Sequence, residues 1–179
     1  MNSKLLHITL TDDGGAGKAG SNLYLKLKSL GYVSQMITLH PSVKNKERTH
    51  VKLSFVTKVV RKLLKVLFGY KKSRNPEYQM TGIDETITLI NSRIIYNDLK
   101  IKPDFIFVYW ISGFLNAKNL YELQRKYNAT IILHLTDMVA FTGGCHFALS
   151  CSNYIKGCGS CPGIFSSKPL DHTHRVSAF

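Results

Sequence analysis

TIILHLTDMVAFTGGCHFALSCSNYIKGCGSCP, residues 130–162, opens as a strand and closes as a cysteine-rich loop. β-Branched and apolar side chains crowd Thr130 to Leu135, a short run ending in a polar turn, so the spacing predicts a buried strand. Asp137 sits just past it. In an open parallel α/β sheet, ligands bind outside the carboxyl ends of the strands. A carboxylate followed by Thr142-Gly143-Gly144 at such an end is well placed for chemistry. The four cysteines, Cys145, Cys151, Cys158 and Cys161, then fall within seventeen residues. Such crowding is not a core-packing pattern.

The upstream elements alternate. Lys4 to Leu10 reads as a strand, Asp12 to Gly17 as a Gly-rich turn, and Lys18 to Leu30 as a helix ending at Gly31, where a left-handed cap is easy. Val33 to Leu39 supplies a second strand, closed by His40-Pro41. Ile87, Ile90, Ile94 and Ile95 predict a helix within Ile83 to Leu99, leading into Lys102-Pro103. The continuous apolar run Phe105 to Val108, within Asp104 to Trp110, predicts a strand covered on both faces. Asn116 caps a helix running to Tyr127. The expected fold is α/β, a Rossmann-like parallel sheet with helices on both faces.

A chain of 179 residues with 44% apolar composition suits one domain with a sizeable core. Its formal charge of +13 favours anionic partners such as phosphates, acidic lipid headgroups or nucleic acid. The first residues lack the long apolar core of a signal peptide, and no run approaches the roughly 18 apolar residues of a spanning helix. The expected location is therefore cytoplasmic.

The turn TDDGGAGKAG, Thr11 to Gly20, admits three readings. A phosphate-gripping P-loop fails at both ends, because with Gly17-Lys18 fixed the first position is Asp12 and the last is Ala19. Gly15, Gly17 and Gly20 meet a dinucleotide fingerprint, but no Asp or Glu lies between Val33 and Lys46 to hold the ribose. The remaining reading is a turn whose amides and helix N-terminus face a phosphate or sugar oxygen. Glycines that serve only strand–helix packing would leave the same letters.

Residues 42–75 are strongly basic, with a helix at their centre. Val56, Val59, Val60, Leu63, Leu64 and Leu67 recur at helical spacing, while Lys58, Arg61, Lys62 and Lys65 occupy the other side. Such a helix either lies in an anionic membrane interface or packs its apolar stripe on its own sheet.

The cysteines read C-x5-C-x6-C-x2-C. The last pair can grip one tetrahedral ion from a tight turn, and Gly159 permits that turn. Structural zinc, unmetallated thiols and, less compatible with a reducing cytoplasm, disulfides stay open. His146 could replace one thiolate, or could be a hydrogen-bonded loop residue. A zinc-ribbon nucleic-acid module needs C-x2-C twice, and only one is present, which counts against nucleic acid as a partner.

The run TDMVAFTGGCHFALSCSNYIKGCGSCP resembles the signature loop in the N-terminal half of a subgroup of family-4 glycosyltransferases, which usually reads HDMW-x-FTGGCHY, a spaced cysteine, then GC-x2-CP. The likeness extends to the Gly-rich turn and to YWISGFL, Tyr109 to Leu115, which resembles that subgroup's HWI-x-GGFL. It spans most of Leu5 to Lys168, with no matching motif from about Pro41 to Pro76. The resemblance implies the N-terminal half of a GT-B fold and a retaining transfer from a nucleotide sugar to a glycan or lipid-linked acceptor in polysaccharide biosynthesis. No cofactor is implied for the transfer itself.

Carried onto this chain, Gly14, Gly15, Gly17 and Lys18 would face the donor's diphosphate, and Trp110, Thr142, Gly143 and Gly144 would line the acceptor side. Asp137 would accept a hydrogen bond from a sugar hydroxyl. The common pattern has His before that Asp, where this chain has Thr136; His134, on the same strand face as Thr136, is the candidate replacement. Trp110 could equally fill the cleft wall, and Asp137 could be a turn-forming carboxylate. The expected organisation is one domain over 1–170, with a basic helical insertion at about 42–76 and a Cys-rich loop at 142–162, and an unstructured tail at 171–179. The family's C-terminal donor domain is expected in cis or trans, outside a truncated reading frame that is inactive alone. The rival expectation is a non-catalytic module, bound to a membrane through 56–67 or to nucleic acid, with a structural zinc loop. Where 56–67 lies in a membrane interface, the expected place is peripheral, on the inner face of the plasma membrane.

Overall fold

The computed structural model describes residues 3–42, 48–68, 74–80 and 86–178. Five runs form strands: β1 (Lys4–Thr11), β2 (Val33–His40), β3 (Thr49–His50), β4 (Phe105–Val108) and β5 (Thr130–Leu133). They make one sheet in the order β3-β2-β1-β4-β5, and every pairing is parallel. Parallel strands need crossovers, and the helices supply cover for both faces.

Register shows which side chains share a face. His7 pairs with Met36 on β2 and Phe107 on β4, while Leu6 pairs with Gln35 and Ile106. α1 (Gly14–Ser29) covers the first set: the Ser21 hydroxyl lies 4.0 Å from Met36 Sδ, and the Tyr24 ring meets His7 edge-on at 5.6 Å. On the opposite face, Gln35 Nε2 donates to the Asp98 carbonyl at 2.8 Å, and its Oε1 accepts from the Lys100 amide at 2.8 Å. Asp98 closes α3 (Arg93–Asp98), so α3 lies on that second face. α4 (Ala117–Tyr127) joins it there, since Asn119 donates to the Ile90 carbonyl at 3.0 Å and to Ser92 Oγ at 2.8 Å. Leu6, Ile8, Met36, Ile37 and Ile106 have no exposed surface. Burial of each stabilises by about 1.5–3 kcal/mol. The Rossmann-like α/β arrangement is thus present.

α4 begins where the sequence says it should. Asn116 accepts from the Asn119 amide at 3.2 Å while Asn119 Oδ1 accepts from the Asn116 amide at 3.0 Å, a reciprocal cap. Asn128 ends it in the left-handed region at φ 52°. β5 departs from the buried strand expected over Thr130 to Leu135. It stops at Leu133 and stands at the end of the sheet order, so Thr130 and Leu133 are exposed and the two isoleucines between them only half-buried. α3 is much shorter than the expected 83–99 helix: Ile87 and Ile90 lie outside it, and 81–85 lie outside the described residues. α2 (Phe55–Phe68) confirms the basic amphipathic helix, though 43–47 and 69–73 of the expected insertion also lie outside the described residues. No helix among the described residues is long and apolar enough to cross a membrane.

Where the sequence suggests one domain over 1–170, the chain divides into two units, Met1–Arg61 with Thr88–Thr136, and Lys62–Ile87 with Asp137–Phe179. The sheet belongs to the first. The described part of the second takes in residues 62–68 of α2, 3-10 turns at Val139–Phe141, Asn153–Lys156 and Pro162–Ile164, a single antiparallel bridge between Met80 and Cys145, and α5 (His172–Ser177). α5 corrects the expectation of an unstructured tail. Asp171 caps it, accepting from the Thr173 amide at 2.8 Å and the His174 amide at 3.3 Å, and also takes the Cys161 amide at 3.0 Å. One carboxylate therefore ties the end of the chain to the cysteine loop.

Candidate functional site

Because every strand runs the same way, Thr11, His40 and Val108 end at one edge of the sheet, where the Leu10 amide donates to the Trp110 carbonyl at 2.6 Å and the His134 amide to the Val108 carbonyl at 2.8 Å. The Gly-rich segment at this edge is mostly helix. α1 starts at Gly14, so Gly14 to Gly17 form its first turn. A Cβ on Gly17 would stand 2.5 Å from the Thr11 carbonyl oxygen, and one on Gly20 would stand 2.9 Å from the Tyr109 ring. Those two glycines serve close packing. Gly14 and Gly15 differ: a Cβ on either meets nothing within 4 Å, so their backbone faces open space. Lys18 is exposed, 3.5 Å from Asp13.

Asp12, next to this turn, is committed to structure. Its buried carboxylate accepts from the Ser42 amide at 2.6 Å and pairs with Arg48 at 2.6 Å. Burial alone would push this carboxyl up, but the hydrogen bonds from Ser42 and Arg48 and the Arg48 charge outweigh it and hold it below the usual carboxylate range. Beside it runs a column of rings. His7 stacks on Phe107 at 4.9 Å, its Nδ1 is 2.9 Å from the Tyr109 hydroxyl, and Tyr109 meets His134 at 5.2 Å. Burial lowers His7 to about 4 and pushes Tyr109 up. His134 is exposed, and Trp110 is half-buried.

In the second unit, Asp137 has found two partners. Oδ1 accepts from the Val139 amide at 3.0 Å, the turn geometry expected of an Asp in a loop, and Oδ2 lies 3.1 Å from His146 Nδ1. Thr142 is buried; its hydroxyl donates to the Cys145 carbonyl at 2.9 Å and accepts from the Gly144 amide at 3.3 Å. A Cβ on Gly143 would overlap the Thr173 carbonyl. Thr142, Gly143 and Gly144 therefore hold the loop in shape.

All four cysteines are free and line one cavity of about 20 Å³. The Cys145 thiol donates to Cys161, which pushes Cys145 up and draws Cys161 down; burial opposes the shift at Cys161, and the backbone N–H groups of Gly163 and Ile164 support it. The Gly143 amide donates to Cys158 Sγ at 3.1 Å. Among the described residues, no three His, Cys, Asp or Glu side chains already stand at metal-ligand spacing.

The predicted residues thus fall into two sets. Gly14, Gly15, Gly17, Lys18, Trp110 and His134 lie in the sheet unit, and Asp137, Thr142, Gly143, Gly144 and the four cysteines in the other. Asp137 takes His146 as its imidazole partner. The Asp12–Arg48 pair and the His7–Tyr109 pair leave no trace in the letters, because their members are 36 and 102 residues apart and belong to no local motif. Comparison with protein families, with curated proteins and with solved structures returns no match to this chain.

Proposed function

We propose that this chain is the N-terminal, acceptor-side part of a retaining glycosyltransferase, moving a sugar from a nucleotide-sugar donor to a glycan or lipid-linked acceptor together with a donor-binding domain. The observation that carries this reading is the loop TDMVAFTGGCHF, beginning at Thr136 just after the carboxyl end of β5 and closely matching the family signature. A parallel sheet whose first strand feeds a glycine-started helix is the scaffold such a loop requires.

In this reading the bond from the sugar's anomeric carbon to the diphosphate breaks, a bond to the acceptor oxygen forms on the same face, and the acceptor hydroxyl's proton passes to the departing diphosphate. Negative charge grows on the departing diphosphate. The open backbone at Gly14 and Gly15, at the positive end of α1, and the exposed Lys18 ammonium are the groups that would stabilise it. Asp137, held by Val139 and His146, would receive a sugar hydroxyl.

A ligand-observed NMR titration with uridine, guanosine and adenosine diphosphates tests the donor side. We expect at least one to bind, and Gly15→Glu to abolish that binding while leaving the fold intact, since the new side chain enters open space but repels phosphate. Failure of all three to bind, or indifference to Gly15→Glu, would sink the reading.

One observation favours a second reading. Val56, Val59, Val60, Leu63 and Leu67 of α2 are all exposed, as a helix lying in a lipid interface requires. Vesicle binding without diphosphate binding would make the chain a non-catalytic membrane module; both together fit a transferase with a lipid-linked acceptor.

A further inference from the structure

Asp137 to Ala178 folds with hardly any regular structure. It holds 3-10 turns and one six-residue helix, too little repetitive hydrogen bonding and too small a core to be self-supporting. Chains of this kind are usually stapled by disulfides or a metal. The staple's atoms are present. Cys145, Cys151, Cys158 and Cys161 all line one cavity.

We propose that these four thiols bind one Zn²⁺ as a structural site with four cysteine ligands. Three features of the geometry carry this. The first is convergence: all four cysteines line one small cavity. The second is the turn. Gly157, Cys158, Gly159 and Ser160 are consecutive residues at φ 94°, 44°, 98° and 43°, a left-handed run that includes two non-glycine residues. Such a run costs about 1–2 kcal/mol per non-glycine residue and needs something to hold it. It swings Cys158 and Cys161 towards the same space, as two thiolates two residues apart must do to share an ion. The third is an N–H donor aimed at sulfur, from Gly143 to Cys158 at 3.1 Å. An amide pointing at sulfur suits a metal-bound thiolate.

Size selects a single ion. A cavity of about 20 Å³ matches one ion. Zn–S bonds of about 2.3 Å place ligand sulfurs roughly 3.8 Å apart. Binding therefore needs the four sulfurs to draw in to that spacing with loss of the thiol protons. Thr173 braces the arrangement: its hydroxyl accepts from the Gly159 amide at 3.2 Å and donates to Asp171 Oδ1 at 2.6 Å, which fixes the turn between Cys158 and Cys161.

The test is elemental analysis of the whole chain purified under reducing conditions, with a zinc titration read by release to a chromogenic chelator and a cobalt titration read by absorption. The expected results are one zinc per chain, tetrahedral thiolate–cobalt absorption, and loss of both in Cys151→Ser. Should that variant misfold, Thr173→Val keeps the ligands and lowers zinc affinity by about 10–100-fold. Four titratable thiols with no zinc or cobalt uptake would overturn the proposal. So would an intact mass lower by four hydrogens in protein kept from air, which would mean two disulfides, or visible iron–sulfur absorption.

Discussion

The imidazole of His7 is buried in the sheet with Nδ1 2.9 Å from the Tyr109 hydroxyl, and its Nε2 meets no hydrogen-bond partner among the described residues. Phe107 stacks on one side and Tyr24 closes another. A charged imidazolium would find no counter-ion in this packing.

This gives a pH dependence with a definite sign. Burial lowers the His7 pKa from 6.5 to about 4, so between those values the unfolded chain binds a proton that the folded chain refuses. Stability is complete above pH 6.5 and falls as pH drops towards 4, by roughly 3 kcal/mol from this group. Urea unfolding at pH 7 and pH 4.5 measures it. The double variant His7→Phe/Tyr109→Phe, which leaves no buried hydroxyl unpaired, should lose that share of the slope; an unchanged slope would place the pH sensitivity elsewhere.

The Asp12–Arg48 pair makes a prediction of the opposite chemical kind. Arg48→Met leaves a carboxylate with no exposed side-chain surface beside an uncharged neighbour. The expected loss is about 3 kcal/mol, or about 10 °C in Tm for a chain of this size. Asp12→Asn/Arg48→Met removes both charges and should recover to within about 1 kcal/mol of the parent. Because the Asp12 pKa is lowered, its contribution is present above the ordinary carboxylate range and disappears as pH falls through its depressed value. Equal losses in the single and double variants would show that the charges do not interact.

The glycines of α1 separate packing from binding. Gly17→Ala forces a Cβ against the Thr11 carbonyl and should destabilise by about 1–3 kcal/mol. Gly15→Ala adds a methyl to open space in a helix and should stabilise by about 0.5–1 kcal/mol. Thermal unfolding of the two variants reads the difference in sign. Destabilisation by both would mean that the first turn packs against something beyond its own sheet.

These cases also show what the letters can convey. Runs such as Phe105 to Val108 are legible because burial within the sheet leaves a continuous apolar string, and Asn116 is legible because its cap closes within three residues. The start of α1 is not, because four glycines near it argue for a turn; helix propensity yields there to close packing on Thr11 and Tyr109. β3 is two residues long, too short for any periodicity. His7 looks like a solvent-facing position in an alternating strand, and is buried because α1 covers that face. The site is less legible than the fold. Asp137 shows a carboxylate, but that it pairs with His146 depends on how the loop doubles back.

α2 carries the last prediction. Val56, Val59, Val60, Leu63 and Leu67 are exposed, and Arg61 is already committed, donating to the Gly113 carbonyl at 2.6 Å. Lys58 and Lys62 are left on the helix to meet headgroups. Each lysine near an anionic surface contributes about 1 kcal/mol, so Lys58→Gln/Lys62→Gln should weaken binding to phosphatidylglycerol vesicles by about 30-fold. The apolar stripe predicts that Leu63→Ser also weakens it, and that neutral phosphatidylcholine vesicles bind poorly. Cosedimentation at low and high salt measures both. If Lys58→Gln/Lys62→Gln binds as the parent does while Leu63→Ser unfolds the chain, the stripe is a packing surface and α2 has no role at a membrane.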